Sequence, residues 1–454
     1  MIRKKIFALT LAVLLGAGQF GLAGAASGAD NVTQTPIKHL IVLMQENHTF
    51  DNYFGTYPGV DGIPAGTEMP VDPNDPSAGY VAPWHIGDNT ITDLSHNATT
   101  FIDQYDNGKM DGFVSALNKR NQDGRISMGY YNGEDIPYYW NLAANYVLFD
   151  RFFSSARDGS GANHMYWVAG VSPAAPRSGT LQDVLANTPT IFDRLQAAGV
   201  SWKFYVENYD PTINYRNLAG QGNRASQVIW VPLLNFDRFI DDPTLSSHIV
   251  DLSQYYTDLE QGTLPAVAYI VPSGASEHPP QKPGTGERTV KNLIQNLMRS
   301  DAWNSSAFML LYDDWGGWYD HVIPPQVDAS GYGLRVPGIL VSPYARQGYI
   351  DNTQLDFTSI LKFIEDNWGV ASLTSRDAAA NNFLEAFDFT QAPRPPEFIS
   401  STWSPPTASV PQKNASPIIY AAYGAVLLLS AVVIASAFWH QARRRVRLPE
   451  ETNR

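Results

Sequence analysis

Two strand-like runs end in side chains suited to hold a cation. Leu40-Ile-Val-Leu-Met44 is apolar and β-branched and stops at Glu46-Asn47, and Phe308-Met-Leu-Leu-Tyr312 stops at Asp313-Asp314. A carboxylate beside a carboxamide offers hard oxygens and a neutral donor, which suits a divalent cation and a phosphate. Two adjacent aspartates repel each other when desolvated together, and a divalent cation removes that conflict. Without a cation, the first stretch reads as a strand with a polar exit and the second as a solvated turn. Gly316-Gly317 follows at once and permits positive φ and close backbone approach.

Ser160 is the candidate nucleophile. It lies between Gly159 and Gly161 at the start of an apparent helix, where the positive end of the helix faces its Oγ. Direct ligation to a metal can activate such a hydroxyl without a histidine base. The competing reading is an ordinary helix cap. Asn163, about a turn later, is placed to donate to a phosphate oxygen. His278 in Ser276-Glu-His-Pro-Pro280 and His321 in Trp318-Tyr-Asp-His321 are candidates to hold phosphate oxygens or protonate a leaving group. His96 is a third candidate and His85 a fourth.

These residues need a frame. Strands are expected at Leu40 to Met44, Val147 to Phe153, Trp202 to Val206, Ala266 to Val271, Ala307 to Tyr312 and Gly338 to Val341. Helices are expected at Pro189 to Ala198 (capped by Thr188 and ended by Gly199), Arg288 to Arg299 and Leu355 to Trp368. Alternating strands and helices imply an α/β fold with a mainly parallel sheet covered on both faces. In such folds the carboxyl ends of the strands carry the site. Four polar clusters, at Glu46-Asn47, Asp158 to Asn163, Ser276 to Pro280 and Asp313 to His321, therefore point to one shared site.

Both ends of the chain read as addresses. Residues 1–25 have a basic start (Arg3, Lys4, Lys5), an apolar core and small residues before a cleavage point after Ala25, the layout of a signal peptide. Residues 418–440 form an apolar stretch long enough to span a bilayer, and the tail 441–454 carries Arg443, Arg444, Arg445 and Arg447. The positive-inside rule then gives a single-pass cell-membrane protein with a cytoplasmic carboxyl terminus. Residues 391–417, rich in Pro, Ser and Thr, are expected as a tether, and residues 36–390 as the catalytic body. The chain has no cysteine, so neither disulfides nor thiol chemistry is available, and its net charge of −13 argues against nucleic acid as a partner.

With these residues in place, the chain resembles the bacterial phosphoesterase family of non-specific phospholipases C and metal-dependent acid phosphatases. The resemblance runs from Ile37 to about Gly369. It rests on five ordered motifs: Glu46-Asn-His-Thr-Phe-Asp-Asn-Tyr-Phe-Gly55; Asp93-Leu-Ser-His96 with Asn107-Gly-Lys-Met-Asp-Gly-Phe113; Ser276 to Pro280; Tyr312 to Pro325; and Arg335-Val-Pro337 with Ser342-Pro343. Two departures stand out. The family's T-x-P-N reads Ser160-Gly-Ala-Asn163, and its D-E pair reads Asp313-Asp314.

The resemblance implies an alkaline-phosphatase-like three-layer sandwich. It implies one divalent metal held by Glu46, Asn47, Ser160, Asp313 and Asp314, with phosphate contacts from Asn47, Asn163, His278 and His321. An all-oxygen ligand set favours Mg²⁺, Ca²⁺ or Mn²⁺. The implied activity is hydrolysis of a phosphoester, either a phospholipid head group or a soluble monoester, through the serine, with His96 assisting. An aromatic mouth of Trp84, Tyr130, Tyr131, Trp315 and Trp318 would favour a quaternary ammonium head group. The alternative is a surface-displayed binding module without turnover. No sulfatase nucleophile motif is found.

Overall fold

The computed structural model describes residues 32–174 and 180–403. Eight strands form one sheet: β1 (His39–Gln45), β2 (Val147–Phe149), β3 (Trp202–Val206), β4 (Ile249–Asp251), β5 (Val267–Val271), β6 (Ser306–Tyr312), β7 (Gly338–Val341) and β8 (Tyr349–Asp351). Their order is β8-β2-β7-β6-β1-β5-β3-β4. Only β7 runs antiparallel to its neighbours. The α/β class and mainly parallel sheet expected from the sequence are therefore present.

Strands β5, β6 and β7 are buried along their whole length, and β1 along all but His39. A strand can be dry on both faces only if both faces are covered, which is why these strands read as continuous apolar runs rather than alternating ones. The covering helices are α1 (Phe50–Phe54), α2 (Pro137–Asn145), α3 (Ser160–Ala169), α4 (Ile191–Ala198), α5 (Ser253–Gln261), α6 (Pro283–Arg299) and α7 (Phe357–Trp368). Helix α3 packs against α4 and α7, while α6 packs against α2 and α5. Helix α6 buries Val290, Leu293, Ile294, Leu297 and Met298, one stripe at helical spacing.

Several boundaries differ from expectation for local reasons. Helix α4 is capped by Thr190 rather than Thr188, because Thr190 and Asp193 form a reciprocal capping box that leaves Pro189 outside. Helix α6 starts five residues early, at Pro283, where a missing N–H costs nothing. Strand β2 ends at Phe149; Phe152 and Phe153 make only isolated bridges to Leu355 and Arg335. The short strands β4 and β8, three residues each, offered too little pattern to be read.

Residues 391–403, expected as the start of a tether, lie against the body. Asn141 of α2 donates to the carbonyls of Ser400 and Thr402, and the Trp403 ring meets Trp140 edge-on at 5.2 Å. The rest of the expected tether, residues 404–417, lies outside the described residues. So do the expected membrane span 418–440, the tail 441–454 and the expected signal segment 1–25. Among the described residues no helix is long and apolar enough to cross a membrane.

One buried guanidinium ties the strand-end loops together. Arg335 is fully buried; its Nε donates to Asp320 at 2.9 Å, one terminal nitrogen donates to Asp51 at 2.9 Å, and the other donates to the carbonyls of Asp61 and Asp150. Arg335→Met would strand two buried carboxylates. Chemical denaturation of this variant is expected to show a loss of about 3–5 kcal/mol in unfolding free energy, the usual cost of breaking a buried pair from one side.

Candidate active site

The three central parallel strands deliver the main groups. Strand β1 sits between β6 and β5, so Glu46-Asn47 emerges with Asp313-Asp314 on one side and the Ser276–Pro280 loop on the other. The chain after β2 crosses over to bring Ser160, the first residue of α3, to the same place. Its Oγ lies 3.2 Å from Asp314 Oδ2 and 3.5 Å from Glu46 Oε2. A cleft of about 530 Å³ opens here, lined by Glu46, Asp93, His96, Ser160, Trp230 and His278 among others.

The turns fit these approaches. Gly316 has φ +58°, and a Cβ there would lie 2.2 Å from the Asn47 carbonyl oxygen, so the turn after Asp314 requires glycine. The Asn47 backbone N–H donates to Asp313 Oδ1 at 2.9 Å with φ at 63°, a left-handed conformation that asparagine tolerates better than most residues.

The charge is concentrated and dry. Glu46, Asp313 and Asp314 are all buried. Burial, then the neighbouring Asp313, push the Glu46 carboxyl up to about 7 against the pull of His164. Burial and then Asp313 push Asp314 well above the usual carboxylate range. Two buried acceptors, Asn47 Oδ1 and Asp313 Oδ2, make no hydrogen bond. Orphaned acceptors beside carboxylates that resist ionising together are what a divalent cation would satisfy, so Glu46, Asn47, Ser160, Asp313 and Asp314 fit the expected metal set.

A short relay orients Asn47. His96 Nδ1 lies 2.6 Å from the Leu94 carbonyl, so that nitrogen carries the proton, and Nε2 is left to accept from Asn47 Nδ2 at 3.1 Å. The Asn47 amide is thereby turned so that Oδ1 faces away from the ring. His278 stands across from His96, with ring centroids 5.6 Å apart. Burial disfavours its charged form, but Glu46, the Pro279 carbonyl and Asp93 outweigh burial and raise its pKa.

Other expected residues are placed elsewhere. His321 lines a different cavity; its Nδ1 pairs with Asp51 at 2.7 Å and its Nε2 with Asp61 at 3.2 Å, so it belongs to the Arg335 network and holds no phosphate at the Ser160 cleft. Asn163 is buried and clamps the turn before Ser160, donating to the Asp158 carbonyl at 2.7 Å and accepting from the Ala156 N–H at 2.8 Å. Its amide is spent on the backbone rather than on a phosphate. His85 is exposed and pairs with Asp135.

The aromatic mouth does not exist as expected. Tyr131, Trp315 and Trp318 are buried, and the Trp315 indole donates to Gln104. Neither Trp84 nor Tyr130 lines the Ser160 cleft, where Trp230 supplies the indole.

Two residues that sequence reasoning missed complete the centre. His164, four residues after Ser160 and so on the same helix face, places Nε2 at 3.3 Å from Glu46 Oε1. That spacing was the available signal. Glu277 anchors the loop bearing His278, accepting hydrogen bonds from the hydroxyls of Tyr53 (2.6 Å), Tyr139 (2.5 Å) and Tyr312 (2.7 Å). No local pattern could have revealed three phenols drawn from separate elements.

The sequence profile of the phosphoesterase family matches residues 37–371. Phospholipase C B of Mycobacterium tuberculosis is 27% identical, covering 92% of this chain and 90% of that protein. Non-specific phospholipase C1 of Arabidopsis thaliana is 26% identical, covering 80% of this chain and 73% of that protein. A solved structure of an alkaline phosphatase superfamily protein from Vibrio parahaemolyticus aligns over 76% of this chain and 70% of that chain, at 11% identity and a TM-score of 0.37.

Burial pushes the Glu277 carboxyl up to about 7 from an ordinary 4.5, despite the three phenols. The folded protein therefore keeps this proton after the unfolded chain has lost it. The group's contribution to stability is full below about pH 4.5 and falls as pH rises to about 7, by about 3 kcal/mol. Glu277→Gln is expected to flatten the pH dependence of unfolding free energy over that window, measured by urea titration at several pH values.

Proposed function

The chain belongs to the phosphoesterase family and is a phosphoester hydrolase, and from that premise we propose that Ser160 is its nucleophile and that a divalent cation is its cofactor. The observation that carries this reading is the Ser160 hydroxyl, 3.2 Å from Asp314 and 3.5 Å from Glu46 at the floor of an open cleft. The cation would be held by Glu46, Asn47, Asp313, Asp314 and Ser160 Oγ. When bound, it neutralises the carboxylates and charge on the phosphoryl oxygens.

In the proposed first half-reaction the Ser160 Oγ–P bond forms and the bond from phosphorus to the leaving oxygen breaks. The hydroxyl proton leaves to water in the open cleft that Ser160 lines. His278 protonates the departing alkoxide, and His96 assists by holding the Asn47 amide in place. The amino end of α3 faces the transferring group with its backbone N–H dipoles. Water then cleaves the phosphoserine, and Oγ recovers its proton.

The relatives named phospholipase C support a phosphodiester of the phospholipid type as substrate, cut on the glycerol side of phosphorus. An alkaline-phosphatase-like three-layer arrangement is part of the same proposal, supported by the motif resemblance and the doubly covered sheet. So is an extracytoplasmic location, supported by the composition of residues 1–25 and 418–454.

Ser160→Ala is expected to lower kcat by at least ~10³-fold on p-nitrophenylphosphorylcholine, a loss on the scale of nucleophile removal. EDTA is expected to abolish wild-type turnover and a divalent salt to restore it. Preference for p-nitrophenyl phosphate instead would make the enzyme a phosphatase. Near-normal turnover by Ser160→Ala would overturn the nucleophile assignment.

A further inference from the structure

The expected metal set is all oxygen, but a nitrogen points into it. His164 is fully buried on α3, one turn after Ser160. Its Nε2 lies 3.3 Å from Glu46 Oε1 and 3.7 Å from Asp313 Oδ2, the oxygen that makes no hydrogen bond. Neither distance is that of a strong ion pair, in which a charged N–H closes to ~2.7–2.9 Å on one oxygen. A nitrogen placed between two carboxylate oxygens and tight to neither has the geometry of donors sharing one centre. One donor atom each from Glu46, His164 and Asp313 lies within 4.8 Å of the others. Bonds of ~2.0–2.2 Å to a common ion span donor separations up to ~4.4 Å, which covers both the 3.3 Å and the 3.7 Å distances.

The ring is also held from behind. The Trp167 ring meets it edge-on at 5.7 Å, and Trp167 in turn stacks on Tyr269 of β5 at 4.1 Å. Among the described residues, the other acid and histidine clusters lack this combination. Around Asp51, Asp320 and His321 the Arg335 guanidinium already occupies the cationic position. Asp93, His96 and His278 lie at the cleft wall, where Asp93 is half exposed.

We propose that His164 Nε2 is a direct ligand of the divalent cation, making the donor set mixed nitrogen and oxygen. This rests on the metal-dependent reading above and sharpens it. Imidazole suits Fe²⁺ and Zn²⁺, Ca²⁺ and Mg²⁺ take oxygen, and Mn²⁺ prefers oxygen but belongs to the first-row series that mixed nitrogen and oxygen sites bind. The site is therefore tuned for a first-row transition metal, and of the cations expected from Glu46 and the aspartates alone it favours Mn²⁺ over Mg²⁺ and Ca²⁺.

The test uses the full chain, stripped with chelator and reloaded with Mn²⁺. Pulsed electron paramagnetic resonance is expected to show ¹⁴N coupling of a bound imidazole, which changes to the ¹⁵N pattern in protein labelled at histidine. His164→Gln is expected to lose the coupling, and His96→Gln to keep it. By equilibrium dialysis, His164→Gln should bind Mn²⁺ at least ~10-fold more weakly while Ca²⁺ affinity changes by less than ~3-fold, since only the former uses the nitrogen. Mn²⁺ bound by the wild type without ¹⁴N coupling, or coupling that survives in His164→Gln, would overturn the ligand assignment and leave the metal-dependent reading standing. Failure of the wild type to bind any of Mn²⁺, Zn²⁺, Mg²⁺ or Ca²⁺ would overturn both. The labelling arm needs no variant and decides the matter even if His164→Gln does not fold.

Discussion

Three carboxylates, Glu46, Asp313 and Asp314, share a small space in which all three are buried. Bringing them together costs desolvation and mutual repulsion at once, and neither term is repaid by hydrogen bonds to the orphaned Asp313 Oδ2. Much of the surrounding architecture serves to keep them there. Asp313 is pinned by the backbone N–H groups of Asn47 and Asp314, and Asp314 by that of Gly316. These bonds come from main chain held by a rigid sheet, so the acids cannot relax outward into solvent. A site of this kind is poor at stabilising a fold and good at holding a cation in one geometry.

Sheet order turns that local constraint into a catalytic layout. Adjacent parallel strands point their carboxyl ends the same way, so the acids just after β1 and β6 and the histidine loop after β5 meet without long connections. The loop after β5 would be loose by itself. Glu277 and its three phenols fasten it to α1, α2 and β6, and so His278 is aimed by a buried cluster rather than by its own short loop. The Arg335 network does the same for helix α1 at Asp51 and for the loops at 61 and 320, with His321 as one of its members.

Much of this was legible in the sequence, for physical reasons that also explain the gaps. Doubly buried strands announce themselves as apolar runs, and the abrupt arrival of Glu46-Asn47 or Asp313-Asp314 marks where they end. The cluster around Ser160 lies beyond the end of β2 at Phe149 and was readable instead from a glycine-flanked serine at the start of a helix. What failed were assignments that depend on where a side chain turns. Asn163 and His321 have suitable chemistry, but one is consumed by its own turn and the other by Asp51 and Asp61. Trp315 and Trp318 sit in a polar-looking stretch, yet they face the core because the Gly316-Gly317 turn folds them back. His164 was hidden by its neighbours Asn163 and Ser160, which claimed the chemistry of that helix. A one-dimensional pattern identifies a functional group well and its partner poorly.

The central position of β1 also bears on how the protein is made. His39 pairs with Ser306 and Leu40 with Val267, so the strand synthesised first is completed only after both of its neighbours have left the ribosome. At ~5–20 residues per second that interval is on the order of tens of seconds. Until β5 is made, Leu40-Ile-Val-Leu-Met44 is an unpaired apolar strand without its neighbours. Non-local pairing of this kind slows folding and exposes nascent chains to aggregation. The layout that sets the acid pair between two finished strands thus makes the enzyme depend, early in its life, on whatever shields that strand until the sheet can close.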